Sequence, residues 1–265
     1  MLTFEGLMEQ AKLSGLPLNK QRAIVREYAQ TIILKAIYQS DFGRKIFFMG
    51  GTALRFAYGL KRFSEDLDFN TRSVSFTNFK EILQICKGGL GKEGFECEIA
   101  QKEKGSLLVG QLKLTNILQA YNITSLKEEK LMVKIETNRP VWEMKTESDV
   151  IDKFGFLFTI LLMEKGSLFS EKLCALFSRN RGRDIYDTIF MLQKRFPIDS
   201  SILQIKGWKD DPKQMILKHV EKIDNKELIR LARQVEPFLL NEEEKDFVIN
   251  AGTYIKAILN SYGNV

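Results

Sequence analysis

The stretch from Phe47 to Phe69 constrains the fold more than any other part of the sequence. It begins with an apolar run at residues 47–49, which predicts a buried strand, and a glycine turn then leads into a short helix at about residues 52–58. After a polar loop, the sequence Asp-Leu-Asp-Phe at residues 66–69 predicts a second short strand. The order strand, glycine turn, helix, loop and strand therefore defines the centre of the chain.

The second of these strands carries two carboxylates on one face. Strand alternation directs Leu67 and Phe69 to one side and Asp66 and Asp68 to the other. Two like charges at this spacing raise one another's pKa unless a cation lies between them. Carboxylate oxygens suit Mg²⁺, which usually takes one or two carboxylates and shares its other ligand positions with substrate phosphates. The pair therefore predicts a magnesium site.

The glycine turn predicts a phosphate site beside these carboxylates. Glycines leave backbone N–H groups open at a helix N-terminus, where the helix dipole also favours an anion. A hydroxyl at the same turn adds one more donor, so the predicted phosphate-binding residues are Gly50, Gly51 and Thr52. Each motif alone is common in proteins that bind no nucleotide, and it is their order along the chain that favours a nucleotide site.

Composition excludes several other classes of protein. The chain has 265 residues, which is long enough for one large domain or two modest ones, and its formal net charge of +6 permits an anionic partner without requiring one. Its three cysteines (Cys86, Cys97 and Cys174) are widely spaced, and His219 is the only histidine, so we expect neither a zinc site nor a disulfide framework. The N-terminus shows no signal pattern and the most apolar run, Phe154–Met163, is too short to span a bilayer, so we expect a cytoplasmic protein without membrane contact.

The rest of the chain alternates between predicted helices and strands. Residues 18–39 and 76–87 show helical spacing, whereas 95–101 and 107–114 alternate as the two strands of a hairpin. The glycines at 88–94 formally match a dinucleotide fingerprint, but that motif must follow a strand and open a helix. We therefore predict a flexible turn there.

A third carboxylate lies on another predicted strand. Residues 131–136 alternate cleanly, so that Leu131, Val133 and Ile135 face one way and Glu136 faces the other. If this strand pairs with the strand that carries the two aspartates, three acids converge. If it does not, Glu136 is a solvated strand residue.

From about Gly166 onward the pattern is helical, and 241–262 is the clearest helix near the end. Lys172 falls on the apolar stripe of a helix predicted at 167–179, where a lysine either snorkels at the edge or reaches into a site. Asp184 and Asp187 follow in the first turn of the next helix. There they suit the helix dipole, so this cluster is equally compatible with a structural role.

Three blocks together resemble the AbiEii family of nucleotidyltransferase-like toxins, which are related to the polymerase β-type nucleotidyltransferases. The blocks are GGTALRFAYGLKRFSEDLDF, VKIETN and SLFSEKLCALFSRNRGRDIYD, and they span about residues 46–190 in the order of the family. The resemblance implies an α+β fold. It would comprise a polymerase β-like nucleotidyltransferase domain with a mixed sheet at residues 1–165 and a helical domain at 166–265.

The resemblance also implies roles for particular residues. Asp66 and Asp68 match the metal-binding D-x-D, and Glu136 falls where the family has a third acid, although this chain has glutamate in place of aspartate. Lys172 matches a lysine implicated in the activity of the family. The residues implied to bind the nucleotide are Gly50, Gly51, Thr52, Lys172, Asp184 and Asp187.

The function implied by the resemblance is Mg²⁺-dependent transfer of a nucleotide from an NTP, with tRNA or another RNA as acceptor and a cognate antitoxin as partner. Two alternatives stay open. One is the same transfer to a small molecule or to a protein hydroxyl. The other is a catalytically silent protein whose acids only shape a regulatory nucleotide site.

Overall fold

A computed structural model describes residues 2–261, which fall into two compact units. The first unit contains the chain up to Gly59 together with Phe63–Met163, and the second contains Leu60–Arg62 together with the chain from Glu164 onward. Three residues just before the D-x-D strand are therefore part of the second unit. No pattern in the sequence predicts this assignment.

The first unit is built on a seven-stranded sheet. Its strands are β1 (Ile46–Met49), β2 (Asp66–Thr71), β3 (Cys97–Lys104), β4 (Leu107–Leu114), β5 (Leu131–Asn138), β6 (Thr146–Lys153) and β7 (Phe156–Met163). They are ordered β3-β4-β5-β2-β1-β7-β6. The pairs β2–β5 and β1–β7 are parallel and the others antiparallel, which confirms the predicted mixed sheet and α+β class.

Helices cover one face of this sheet. The helices of the first unit are α1 (Phe4–Leu13), α2 (Gln21–Tyr38), α3 (Gly50–Tyr58), α4 (Phe76–Lys92) and the short α5 (Ile117–Ala120). The ring of Phe56 in α3 meets Phe48 of β1 edge-on, and Leu83 of α4 packs on Gly110 of β4. Phe48 lies beside the fully buried Phe69 of β2, so this face forms the apolar core.

Helix α4 is longer than the sequence predicts. It continues through the glycine-rich segment to Lys92, and the chain turns only at Gly94, where φ is +79°. The reason is a close approach to α2, since a Cβ on Gly89 would lie 2.7 Å from the Cβ of Ala36. The prediction of a flexible turn at residues 88–94 was wrong, because the glycine serves helix packing there.

Strands β6 and β7 were not predicted. The apolar run at residues 154–163 contains alternating buried residues, of which Phe158, Ile160 and Leu162 are examples. This run pairs with the polar strand β6 as a hairpin and extends the sheet beyond β1. Among the described residues, no helix is both long and apolar enough to cross a membrane.

The second unit is helical. Its helices are α6 (Lys165–Ser178), α7 (Gly182–Gln193), α8 (Ser200–Ile205), α9 (Pro212–Glu221), α10 (Asn225–Val235), α11 (Asp246–Ile249) and α12 (Ala251–Ser261). Helix α7 is almost entirely buried and contacts α6, α10 and α12, so it forms the core of this unit. The single helix predicted at 241–262 is instead a 3₁₀ turn, Glu242–Lys245, followed by α11 and α12.

The segment Leu60–Arg62 is held to the second unit by main-chain contacts. Arg62 forms an isolated antiparallel bridge with Leu239, and the N–H of Leu240 donates to the carbonyl of Lys61 over 2.9 Å. Leu60 and Arg62 are buried. This short segment is therefore an integral part of the helical unit.

Candidate active site

The register of two parallel strands places three acids on one face of the sheet. Asp66 of β2 lies opposite Lys134 of β5, and Asp68 lies opposite Glu136. Paired residues on neighbouring strands point to the same side. All four side chains thus share the face opposite the buried Leu67 and Phe69, which leaves them half-buried. The sequence left open whether the three acids converge, and the structure shows them on one face.

Lys134 bridges two of these acids. Its Nζ lies 3.1 Å from Oδ2 of Asp66 and 3.2 Å from Oε1 of Glu136. Partial burial works against the charge of the lysine, yet the two carboxylates raise its pKa above the ordinary value. Sequence reasoning did not single out this lysine, although strand alternation two residues before Glu136 already places it on the same face.

The glycine turn lies directly against the second aspartate. Gly50 has a φ of +77°, and a Cβ on this residue would lie 2.2 Å from Oδ2 of Asp68. A side chain at this position would therefore meet the carboxylate itself. Because Gly50 is the first residue of α3, the open N–H groups of that helix begin beside Asp68.

Thr52 has a different contact from the one that the sequence predicts. It is fully buried, and its hydroxyl donates a hydrogen bond to the main-chain oxygen of Asp66. This bond ties the first turn of α3 to the strand that carries the aspartates. The role of Gly50, Gly51 and Thr52 in phosphate binding stays a prediction, and the hydroxyl of Thr52 has this partner within the fold.

A buried ion cluster links α3 to α2 and β6. Glu27 of α2, 2% exposed, accepts from Arg55 of α3 over 3.0 Å and is also paired with Lys153 of β6. Burial alone would raise the pKa of Glu27, but the two cations hold it below its ordinary value. Removing Glu27 would leave both cations without the carboxylate that they share, so the cluster constrains the position of α3.

Helix α2 also fixes the loop before β2. The side-chain amide of Gln30, which is 1% exposed, donates to the carbonyls of Ser64 and Glu65 over 3.0 and 2.9 Å. Arg26 pairs with the carboxylate of Glu65 at 2.8 Å. The approach to Asp66 is therefore set by side chains that are more than thirty residues away in sequence.

The acidic face has the ligand chemistry of a magnesium site, but the lysine occupies part of it. Asp66, Asp68 and Glu136 offer only hard carboxylate oxygens, which suit Mg²⁺. Within residues 2–261, however, no three His, Cys, Asp or Glu side chains are arranged to hold a metal ion. Lys134 contacts both Asp66 and Glu136, so its ammonium group already occupies oxygens of two of the three carboxylates.

The remaining predicted site residues form a second cluster in the helical unit. Lys172 of α6 places its Nζ 2.5 Å from Oδ2 of Asp187 and 4.0 Å from Oδ1 of Asp184, both on α7. Asp187 also accepts two bonds of 2.7 Å from Arg62, and Asp184 accepts bonds of 2.9 and 3.3 Å from Arg179. The structure brings Lys172, Asp184 and Asp187 together, as their blocks imply.

The two acids of this cluster are buried and paired with cations. Asp184 and Asp187 are 0% exposed, and Arg62 is 2% exposed. Burial would raise the pKa of Asp187, but Arg62 and Lys172 outweigh it and lower the value to about 2. Both carboxylates are used to hold cations within the unit. The resemblance implies that Asp184 and Asp187 bind a nucleotide directly, and this stays a prediction; the contacts seen here join them to Lys172, Arg62 and Arg179.

Solved structures of other proteins share this fold. JHP933 from Helicobacter pylori superposes with a TM-score of 0.61 at 20% identity, covering 91% of this chain and 94% of that one. MenT4, a nucleotidyltransferase toxin from Mycobacterium tuberculosis, superposes with a TM-score of 0.57 at 17% identity, covering 97% and 90%. At these identities the likeness shows a shared fold and no more.

The sequence itself establishes the family. The model of the family described as nucleotidyl transferase AbiEii toxin, type IV toxin–antitoxin system, matches residues 32–248. The chain belongs to this AbiEii family of nucleotidyltransferase toxins. No curated protein sequence matches the chain.

Proposed function

We propose that this protein is a Mg²⁺-dependent nucleotidyltransferase that transfers NMP from an NTP to an acceptor hydroxyl, with the 3′ end of tRNA as the favoured acceptor. One observation carries the proposal. The register of β2 and β5 places Asp66, Asp68 and Glu136 on one face, and Gly50 opens α3 directly beside Asp68. Membership of the toxin family supports the same class of reaction.

The residues of this face divide the reaction between them. The open N–H groups of the first turn of α3 bind phosphate oxygens of the NTP. Asp66, Asp68 and Glu136 would hold Mg²⁺, which supplies positive charge to the α-phosphate and to the leaving pyrophosphate. Glu136 accepts the proton of the acceptor hydroxyl while the oxygen of that hydroxyl forms a bond to the α-phosphorus. The bond from that phosphorus to the pyrophosphate breaks in the same exchange.

Lys172 is proposed to bind the triphosphate as well. Its ammonium group is directed by Asp187, and its side chain is 12% exposed. A lysine fixed in this way loses less freedom on binding an anion than a freely rotating one. The carboxylates of Asp184 and Asp187 have no direct contact with the substrate in this proposal.

The choice of RNA as acceptor rests on the family and on charge. The formal net charge of +6 favours association with a polyanion such as RNA, in the cytoplasm where NTPs and tRNA are found. A toxin of a toxin–antitoxin system also implies an antitoxin as partner. A small molecule or a protein hydroxyl remains the alternative acceptor, because the acidic face selects the reaction and not the acceptor.

The experiment is incubation of the protein with each α-labelled NTP, Mg²⁺ and one of three acceptor pools, namely total RNA, total protein and small molecules. We expect label in the RNA pool, concentrated in tRNA, from one or a few of the NTPs. Label found only in another pool would contradict the choice of RNA. A protein that binds NTP but labels no pool would support the catalytically silent alternative.

A further inference from the structure

Lys134 contacts two of the carboxylates that a divalent ion would need as ligands. Its Nζ is within ion-pair distance of Asp66 and of Glu136, at 3.1 and 3.2 Å. A Mg²⁺ ion bound by oxygens of the same two carboxylates would lie at about 2.0–2.1 Å from them. The ammonium group and the ion therefore compete for the same oxygens, and their charges repel one another.

We infer that Lys134 is a resident counter-ion of the metal-free protein, which competes with Mg²⁺ for Asp66 and Glu136 and thereby sets the affinity for the metal. The inference rests on the proposed function, in which these acids hold the ion. It assigns the lysine a positioning role that neither the family match nor the likeness to solved structures specifies.

The electrostatics of the sheet explain why such a counter-ion is needed. Register pairs Asp68 with Glu136, and Asp66 lies two residues away on the same strand face. Three carboxylates on one half-buried face repel one another. A lysine bonded to two of them offsets that repulsion. The site is thus stable before any metal arrives.

The side chain of Lys134 is also able to leave. It is 27% exposed, and its flexible four-carbon stem carries a compact charge that can swing away from the strand. A bidentate arginine buried at the same place would be held more firmly. Because Mg²⁺ must displace the ammonium group, the apparent affinity for Mg²⁺ is weaker.

The test compares Mg²⁺ binding by the parent and by two neutral variants, Lys134→Met and Lys134→Gln. Isothermal titration with Mg²⁺ alone gives the affinity, and thermal melts in chelator and in Mg²⁺ give the stability. Lys130→Met is the matched control. Lys130 also bonds a carboxylate, that of Glu98 at 2.8 Å, and is 34% exposed, but it lies outside the acidic face. Lys134→Arg retains the charge.

We expect both neutral variants to bind Mg²⁺ more tightly than the parent, by roughly five- to tenfold for two half-exposed ion pairs. In chelator they should melt below the parent, and Mg²⁺ should raise their melting temperature by more. Lys130→Met should bind Mg²⁺ as the parent does, and Lys134→Arg should bind it no more tightly than the parent.

Two outcomes would overturn the inference, and they are distinguishable. Equal Mg²⁺ affinity in the parent and in both neutral variants would show that Lys134 does not compete with the metal, while the proposed function would stand. An absence of any Mg²⁺ response in every variant would overturn the inference together with the metal in the proposed function. If one neutral variant fails to fold, the other provides the same comparison.

Discussion

Asp187 shows how one buried charge is maintained at the scale of a single residue. It is fully buried, but Arg62 and Lys172 together lower its pKa from the ordinary value of 3.8 to about 2. A carboxyl whose pKa is lower in the folded state stabilises the fold above its unfolded pKa and loses that contribution as pH falls. The window for this loss lies between these two values.

We therefore predict that acid weakens the fold through Asp187. From the difference in pKa, the free energy of unfolding should fall by roughly 2 kcal/mol as pH decreases from about 4 to about 2. Urea unfolding at a series of pH values measures this slope. Asp187→Asn should be about 3–5 kcal/mol less stable at neutral pH, because Arg62 is left buried without its carboxylate. A slope in that window as steep in Asp187→Asn as in the parent would contradict the assignment.

Lys172 permits a second test at this scale. Lys172→Met keeps the apolar stem and removes the charge, while Asp187 stays bonded to Arg62. We expect a loss of about 1 kcal/mol in stability and a loss of roughly a hundredfold in nucleotide transfer. Lys172→Ala should lose transfer to a similar extent. Full transfer by the Met variant would instead show that the lysine only packs at the edge of its helix.

Sequence reasoning succeeds for residues whose placement depends on local alternation. The face of Asp66, Asp68 and Glu136 follows from the period of two in their strands, once the strands pair. The partner of Asp187 does not follow in this way. Arg62 is 125 residues distant from Asp187, and no periodicity links a loop arginine to a helix so far along the chain.

At the scale of the element, helix α3 begins at one glycine and is followed by another, and the two glycines have different surroundings. Gly50 has a φ of +77° and would place a Cβ against the Asp68 carboxylate, whereas Gly59 has a φ of +74° with no atom within 4 Å of its Cβ position. The two positions share the backbone strain and differ in the contact.

This difference gives a matched pair of variants. Gly59→Ala should cost about 1–2 kcal/mol of stability from the left-handed backbone alone and leave nucleotide transfer unchanged. Gly50→Ala should cost more and abolish transfer, because its methyl group would displace the carboxylate of Asp68. Chemical denaturation and the labelled-NTP assay measure the two effects. Equal transfer by both variants would remove Gly50 from the site.

The limits of prediction at this scale lie at the element boundaries. The glycines near the end of α4 favour a turn locally, yet packing of Gly89 on Ala36 continues the helix. Tertiary contact outweighs the local propensity there. Strand β6 has a polar sequence that contains little to predict a strand, and it is defined by its pairing with β7.

At the scale of the whole molecule, the positive net charge predicts how an RNA acceptor would bind. Contacts made mainly by lysine and arginine release counter-ions, so the logarithm of the binding constant should fall with the logarithm of salt by about 0.7 for each phosphate neutralised. Binding of tRNA between low and physiological salt, followed by fluorescence anisotropy, measures the slope. Binding that does not change with salt would point to an acceptor other than RNA.

The class of the fold and its division into a sheet unit and a helical unit follow from the pattern of elements along the chain. Among the described residues, all seven strands lie at or before Met163, and the elements after it are helices. The assignment of Leu60–Arg62 to the helical unit depends on contacts with residues near 240, which appear only after the chain has folded. Such long-range pairings carry no local signal.

The central claim is that the acidic face transfers a nucleotide, and the position of a radiolabel tests it directly. Parent protein and an Asp66→Asn, Asp68→Asn double variant are incubated with Mg²⁺, RNA and an NTP labelled at either the α- or the γ-phosphate. Transfer of NMP with release of pyrophosphate predicts that the parent incorporates the α-label and not the γ-label, and that the double variant loses incorporation by several orders of magnitude. Incorporation of the γ-label, or equal incorporation of the α-label by the double variant, would contradict the account.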